Sequence, residues 1–409
     1  MSNRLISKSF FKDIKLNIPL VVLYSIFLFL FMFVSVLISY SDYKTNLDYM
    51  EEVYKMDTFF NFRESAIGYL SAGSLLVFIF ATVQAFNQFN YLHSKTKVDF
   101  YHSLPQSRLK LFTTKYLSGL LEGVIPYAII WLLSFILCHF VAPMPGIKID
   151  YFFFYAFLSV IVFYVMLYSS CVLAMILSGT NFTGICMMFV INFIFPIFGL
   201  ILNGFYAVMS YDFNKLYESE SPFAKFVEEL PERIGFISPI SQIFTVYDGY
   251  FIYQPRELME YYSKHMEYYT NHSPNYGRME NPTIQFLPFR FPAYVVITIL
   301  IVVVAYLAYK HMKLERTGEA LTFKKSESFF ITLLTICAGL IGCLFFNEFA
   351  GFDAAGYAYF GGILFTFLSY GIIQFIYTKD IKKTFQRKWI LIISEILVFI
   401  IISLVWSFS

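Results

Sequence analysis

Tyr91-Leu-His-Ser-Lys-Thr-Lys-Val-Asp-Phe-Tyr-His-Ser-Leu-Pro-Gln-Ser-Arg-Leu-Lys110 is a short polar stretch between two long apolar runs, and its reading decides how the chain is folded. Each flanking run is long enough for a helix to cross a bilayer, which takes about 20 residues. The stretch itself therefore belongs at a membrane surface. Its basic residues, Lys95, Lys97, Arg108 and Lys110, place that surface on the cytoplasmic side, because short loops rich in Lys and Arg stay inside.

Composition agrees with this start. Of 409 residues, 58% are hydrophobic and 14% charged, and the mean hydropathy is +0.62. That is too little polar surface to clothe a soluble globule of this length. The fold class expected is an all-α polytopic membrane protein. The net charge of +2 says nothing about partners until it is split by side of the membrane, and no concentrated basic face suggests nucleic acid. The five cysteines (Cys138, Cys171, Cys186, Cys337, Cys343) all fall in apolar runs, where they read as small packing residues and not as a disulfide framework.

Outward from the opening stretch, nine apolar runs follow the chain. Residues 1–16 interleave Arg4, Lys8, Lys12 and Lys15 with Leu5, Ile6, Phe10, Phe11 and Ile14, a basic amphipathic helix suited to the inner leaflet. Span 1 is expected at about 17–41, as a retained crossing and not a cleaved signal, followed by a short acidic external loop. Spans 2 to 5 are expected at about 65–90, 115–141, 151–177 and 183–208, with the cytoplasmic loop 91–114 after span 2 and the tight turn Ser178-Gly-Thr-Asn181 after span 4. Residues 209–290 turn rich in Asp, Glu, Tyr, Asn and Pro and form an extracellular segment. Span 6 is expected at about 291–309, a cytoplasmic loop at 310–328, and spans 7 to 9 at about 329–347, 356–377 and 389–407. With the N-terminus cytoplasmic, 19 of the 30 basic residues fall inside, as the positive-inside rule requires.

Motifs that would make the chain an enzyme are missing. A phosphate cradle needs glycine-rich backbone amides and a lysine acting together; Gly68 and Gly73-Ser74 offer part of the spacing without the lysine, inside a hydrophobic span. His265-Met-Glu267 has no second histidine to complete a zinc helix. No catalytic residue, metal site or bound cofactor is assigned.

Within the opening stretch, Ser103 followed by Gln106 has the spacing of a capping box, with Pro105 in the first turn. A helix is expected to start there and run through Arg108 into span 3, with Lys97–Tyr101 forming a further amphipathic turn. A lipid-facing loop of snorkelling basic residues explains the same composition equally well. Inside the spans, Glu122 is costly in hydrocarbon and so should face protein, water or the interface. Gln84, Asn87 and Asn90 recur about one turn apart on span 2 and can form a polar seam; Glu122, Gln84 and Asn87 are the candidate intramembrane polar site, with helix packing as the default reading. Glu395 lies near the end of span 9. Pro126 and Pro196 predict kinks in spans 3 and 5. The tyrosine-rich segment Tyr261–Thr270, with Tyr247, Tyr250 and Tyr253 before it, reads as a lid at the membrane interface or a substrate-capturing surface.

The run Phe89–Arg108 resembles the loop between the second and third spans of bacterial ABC-2-type transporter permeases of the YtrC/YtrD-like group of low-GC Gram-positive bacteria. Glu315-Arg-Thr-Gly-Glu-Ala-Leu-Thr-Phe323 is similar to the segment after the sixth span in that group. The resemblance covers residues 1 to about 323 and implies a six-span permease core; spans 7–9 are additional. It further implies a second permease subunit, as homodimer or heterodimer, and separate ABC ATPase subunits that hold ATP and Mg. The loop after span 2 would be the coupling helix, with Asp99, Phe100, Tyr101, His102, Leu104, Pro105 and Arg108 touching the ATPase. The function implied is ATP-driven export of an amphipathic compound such as an antimicrobial peptide, or a part in the cell-envelope antibiotic response, in the plasma membrane. A membrane sensor or scaffold that signals from the extracellular segment to a cytoplasmic partner is the alternative.

Overall fold

The computed structural model describes residues 2–49, 52–103, 106–138, 150–209, 238, 287–349, 355–378, 382 and 384–408. These residues are helical apart from short turns, with one isolated antiparallel bridge, Ser178 to Leu321. The helices are α1 (Ser2–Leu28), a π-helical segment (Phe29–Val34), α2 (Ser35–Tyr49), α3 (Glu52–Phe89), a 3-10 turn (Asn90–His93), α4 (Lys95–Ser103), α5 (Arg108–Ile136), α6 (Asp150–Leu177), α7 (Asn181–Met209), α8 (Leu287–His311), α9 (Lys324–Phe349), α10 (Ala355–Thr378) and α11 (Lys388–Phe408). Among the described residues, eight helical stretches are long and apolar enough to cross a membrane. α11 coincides with the stretch read as the ninth span. The chain is an all-helical, multi-pass membrane protein.

Three stretches differ from their sequence-based reading. The acidic stretch after span 1 was expected as a loop, yet α2 extends to Tyr49 and α3 begins at Glu52. The helices continue because they have something to pack on: the Tyr43 and Phe62 rings stack with centroids 5.2 Å apart, and Tyr40 meets Phe62 edge-on at 6.1 Å. The helix leading into span 3 starts at Arg108 and not at Ser103. Ser103 already closes α4, so its backbone N–H belongs to that helix and needs no cap. Ser107 is the N-cap instead: its backbone is extended and its hydroxyl accepts from the Lys110 N–H. No break separates residues 2–16, read as an interfacial helix, from span 1; α1 passes uninterrupted through Pro19. Pro126 and Pro196 lie inside α5 and α7. Leu104, Pro105 and nearly all of residues 209–290, the segment expected to be extracellular, including Tyr261–Thr270, lie outside the described residues.

The chain divides into two compact units: residues 1–89, 102–173 and 242–310, and residues 90–101, 174–241 and 311–409. In the first, Tyr24 of α1 stacks on Phe80 of α3 with centroids 3.9 Å apart. Buried Phe112 of α5 gathers Phe89, Tyr116, Tyr306 and Tyr309 around it. Apolar burial and these ring contacts hold the helices where lipid gives no hydrophobic drive. In the second unit, α7, α9, α10 and α11 share a core of Ile194, Ile201, Ile336, Leu340, Cys343, Ala358, Val398 and Ile402. α9 and α10 approach backbone to backbone: a Cβ on Gly361 would lie 2.4 Å from the Gly342 carbonyl oxygen.

Candidate functional site

Two arrangements of polar side chains stand out, one in each unit.

In the first unit, α5 carries Glu122 into the interior, where it is 5% exposed. A carboxylate so placed must be solvated by protein groups. Asn17 of α1 donates through Nδ2 to both carboxylate oxygens, at 3.2 and 3.0 Å. Gln84 of α3 donates to Oε2, and Gln88 donates to Oε1 at 3.5 Å. Asn87 then donates to Asn17 Oδ1 at 2.8 Å. Three helices thus meet through one carboxylate and four amides. The expected trio of Glu122, Gln84 and Asn87 is brought together, with Asn87 joined through Asn17. Sequence reasoning missed Asn17 and Gln88. Gln88 is one helical turn from Gln84, on the same face, which was a usable signal. Asn17 sits at the boundary between the basic leader and the first span and gave none. Asn90, grouped with these residues by spacing, belongs to the 3-10 turn instead.

In the second unit, the polar groups serve the C-terminus of α6. A helix leaves its last four carbonyls without partners inside the helix, and here all four are met. Ser178 N–H donates to Ala174 O. Met175 O accepts from His93 Nε2 at 2.9 Å and from Ser178 Oγ at 3.1 Å. Thr322 Oγ1 donates to Ile176 O and Leu177 O, both at 2.9 Å, and Thr322 N–H donates to Leu177 O at 2.8 Å. His93 Nδ1 also meets the Asn181 side chain at 2.8 Å, across the turn into α7. Thr180 caps α7, its hydroxyl accepting from the Thr183 N–H at 3.3 Å.

The segment 316–322 is shaped to reach this turn. Gly318 has φ +99, a conformation that favours glycine, and its N–H donates to Gly179 O at 2.8 Å. Gly179 is required for the close approach: a Cβ there would lie 2.3 Å from the Glu319 carbonyl oxygen. Arg316 Nη1 donates to Thr322 O at 2.7 Å and its Nη2 pairs with Glu319, which closes the loop on itself.

These bonds join connections from different points of the chain. His93 follows the second crossing, Ser178–Asn181 the fourth and Arg316–Thr322 the sixth. Chain stretches after even-numbered crossings should lie on one side of a membrane, and here they bond to one another. Arg387, after the eighth crossing, pairs with Glu327 at the start of α9, 2.8 Å apart.

From the same 3-10 turn emerges α4. Val98 is buried, whereas Lys95, Lys97, Asp99 and Phe100 are exposed, Phe100 at 62%. Tyr101 packs at 4.8 Å on Tyr91 and at 5.6 Å on Phe100. His102 is half-buried and Arg108 is exposed at the start of α5. The residues singled out in the opening stretch thus lie on two helices, α4 and α5, and not on one. Glu395 is half-buried on α11. No group of three or more His, Cys, Asp or Glu suited to a metal occurs among the described residues. No protein-family model matches the chain, and no curated protein or solved structure matches it.

Proposed function

We propose that the chain is the permease subunit of an ATP-binding cassette transporter, exporting an amphipathic compound with energy from a separate ATPase subunit that holds ATP and Mg. The observation that carries this reading is α4, a short helix outside the long apolar helices, with Val98 buried and Phe100 presented outward. It emerges from a turn that His93 bonds to the end of α6. Exposed aromatic and basic side chains of this kind make small docking surfaces strong. The positive-inside rule puts this end in the cytoplasm, where an ATPase would be. A push on α4 would reach the α6–α7 turn through His93 and the start of α9 through Thr322.

The test is co-purification with an ATPase, followed by replacement of Phe100, Tyr101 and Arg108 by alanine. The expected result is loss of substrate-stimulated ATP hydrolysis. Phe100→Ala alone should weaken docking about tenfold, a hot-spot contribution of about 1.4 kcal/mol. An intact complex with unchanged stimulated hydrolysis after the triple replacement rejects the docking role.

A further inference from the structure

We propose that Glu122 is a proton-binding site inside the membrane-spanning helices, with Gln84 as the group that adapts to either protonation state. The geometry is specific to this reading. A seam that only packed helices would use up its donors and acceptors. Here Gln84 is 0% exposed, its Nε2 bonds to Glu122, and its Oε1 has no hydrogen-bond partner. Tyr24 Oη and Tyr168 Oη are also buried without a hydrogen-bond partner.

A primary amide donates through nitrogen and accepts through oxygen, and a half-turn about its last bond exchanges the two. With Glu122 ionised, the nitrogen of Gln84 faces the carboxylate, as observed. With Glu122 protonated, the half-turn brings Oε1 round to accept from the new carboxyl O–H. The proton comes from bulk hydronium, leaving water; one O–H bond forms at Glu122 and nothing is oxidised or reduced. The site goes from one negative charge to none. The bonds from Asn17 and Gln88 then lose their charge assistance, so protonation loosens the ties of α1 and α3 to α5.

Besides Glu122 on α5, α1 carries Arg4, Lys8, Lys12, Asp13, Lys15 and Tyr24; α5 carries Arg108, Lys110, Lys115, Tyr116 and Tyr127; α6 carries Asp150, Tyr151, Tyr155, Tyr164, Tyr168 and Cys171; α8 carries Arg290, Tyr294, Tyr306, Tyr309, Lys310 and His311. From Gly73 to Phe89, α3 offers only neutral side chains. Tyr164 donates to Gly119 O at 2.8 Å, and Tyr116 and Ser169 are hydrogen-bonded at 2.7 Å. Asp13 precedes the apolar run of α1 and Asp150 begins α6, so Glu122 is the carboxylate within the apolar runs of these helices, and the inference stands apart from the transport reading.

Infrared difference spectroscopy between acid and alkaline buffer tests it on the purified full chain in lipid nanodiscs. The expected result is a protonated-carboxyl band that appears on acidification and is absent from Glu122→Gln, together with a primary-amide shift absent from Gln84→Met. If Glu122→Gln does not fold, Glu122→Asp keeps a carboxyl in a shorter side chain and should move the band. A carboxyl region that does not respond to pH, or a band unmoved by any of these substitutions, overturns the proposal.

Discussion

The Glu122 network of the first unit and the α6 end of the second use hydrogen bonds in opposite places. In the first, side chains bond to side chains between long helices: Asn17, Gln84 and Gln88 on one carboxylate. In the second, side chains bond to backbone at helix ends, where His93 and Thr322 finish α6, and buried threonines within the spans turn back on their own helices, Thr335 to Ile331 O and Thr366 to Gly362 O. Helix ends must be satisfied in any membrane protein. A carboxylate among helices answers no such demand and carries a desolvation cost. The second arrangement is therefore what a stable fold requires, and the first is where function is to be sought.

The largest expected effect breaks that contrast at its costly side. Glu122→Leu removes the acceptor of three amides at once, buried Gln84 and Gln88 and half-buried Asn17, and leaves their donors without it. Each unsatisfied buried group costs about 1–3 kcal/mol, so the loss should reach about 3 kcal/mol or more, read as a fall in the thermal midpoint of the purified protein. Glu122→Gln keeps an acceptor oxygen and should lose less than half as much. Equal midpoints for Glu122→Leu and the parent would show the network to be energetically idle.

The contrast also separates what the sequence displays from what it hides. Span positions were legible because about 20 apolar residues admit little else in a bilayer; spans 4 to 9 lie within a few residues of α6 to α11. The start of α5 was misplaced because Ser103 and Ser107 both have capping chemistry, and only the end of α4 decides between them. Glu122, Gln84 and Asn87 were visible as polar residues in apolar runs. Asn17 was not, since at a span boundary an asparagine is ordinary. His93 and Thr322 were hidden for a different reason: each caps a helix distant in sequence, and capping by a remote segment leaves no local pattern. The Glu315–Phe323 motif carried a resemblance before the role of its Thr322 as a cap for α6 was apparent.

A second, smaller effect probes how the spans of the second unit pack. Gly361→Leu places side-chain atoms where the Gly342 carbonyl of α9 now sits. Backbone cannot yield as a side chain can, and α9 and α10 must separate. Overpacking of this kind costs about 1–3 kcal/mol, and the upper end, near 2–3 kcal/mol, is expected here. Gly356→Ala, on the same helix with nothing within 4 Å of its added Cβ, is the control and should leave the midpoint within about 0.5 kcal/mol of the parent. If the two variants melt together, close backbone contact is not what holds this pair.

Thr322→Val is the mildest change and the sharpest, because it preserves shape and removes only the hydroxyl. Thr322 is 2% exposed, so no solvent replaces what is lost. Its backbone N–H still reaches Leu177 O, which leaves Ile176 O as the carbonyl deprived of a cap. One orphaned buried acceptor should cost about 1–2 kcal/mol, with Thr322→Ser restoring most of it. Hydrogen exchange distinguishes a local from a global loss: the amide of Gly318, bonded to Gly179 O, should exchange faster in Thr322→Val, while amides in the middle of α10 should not. Uniform acceleration would mean that the 316–322 segment is part of one cooperative unit with the spans, so that the cap at this end and the packing among the helices form a single element.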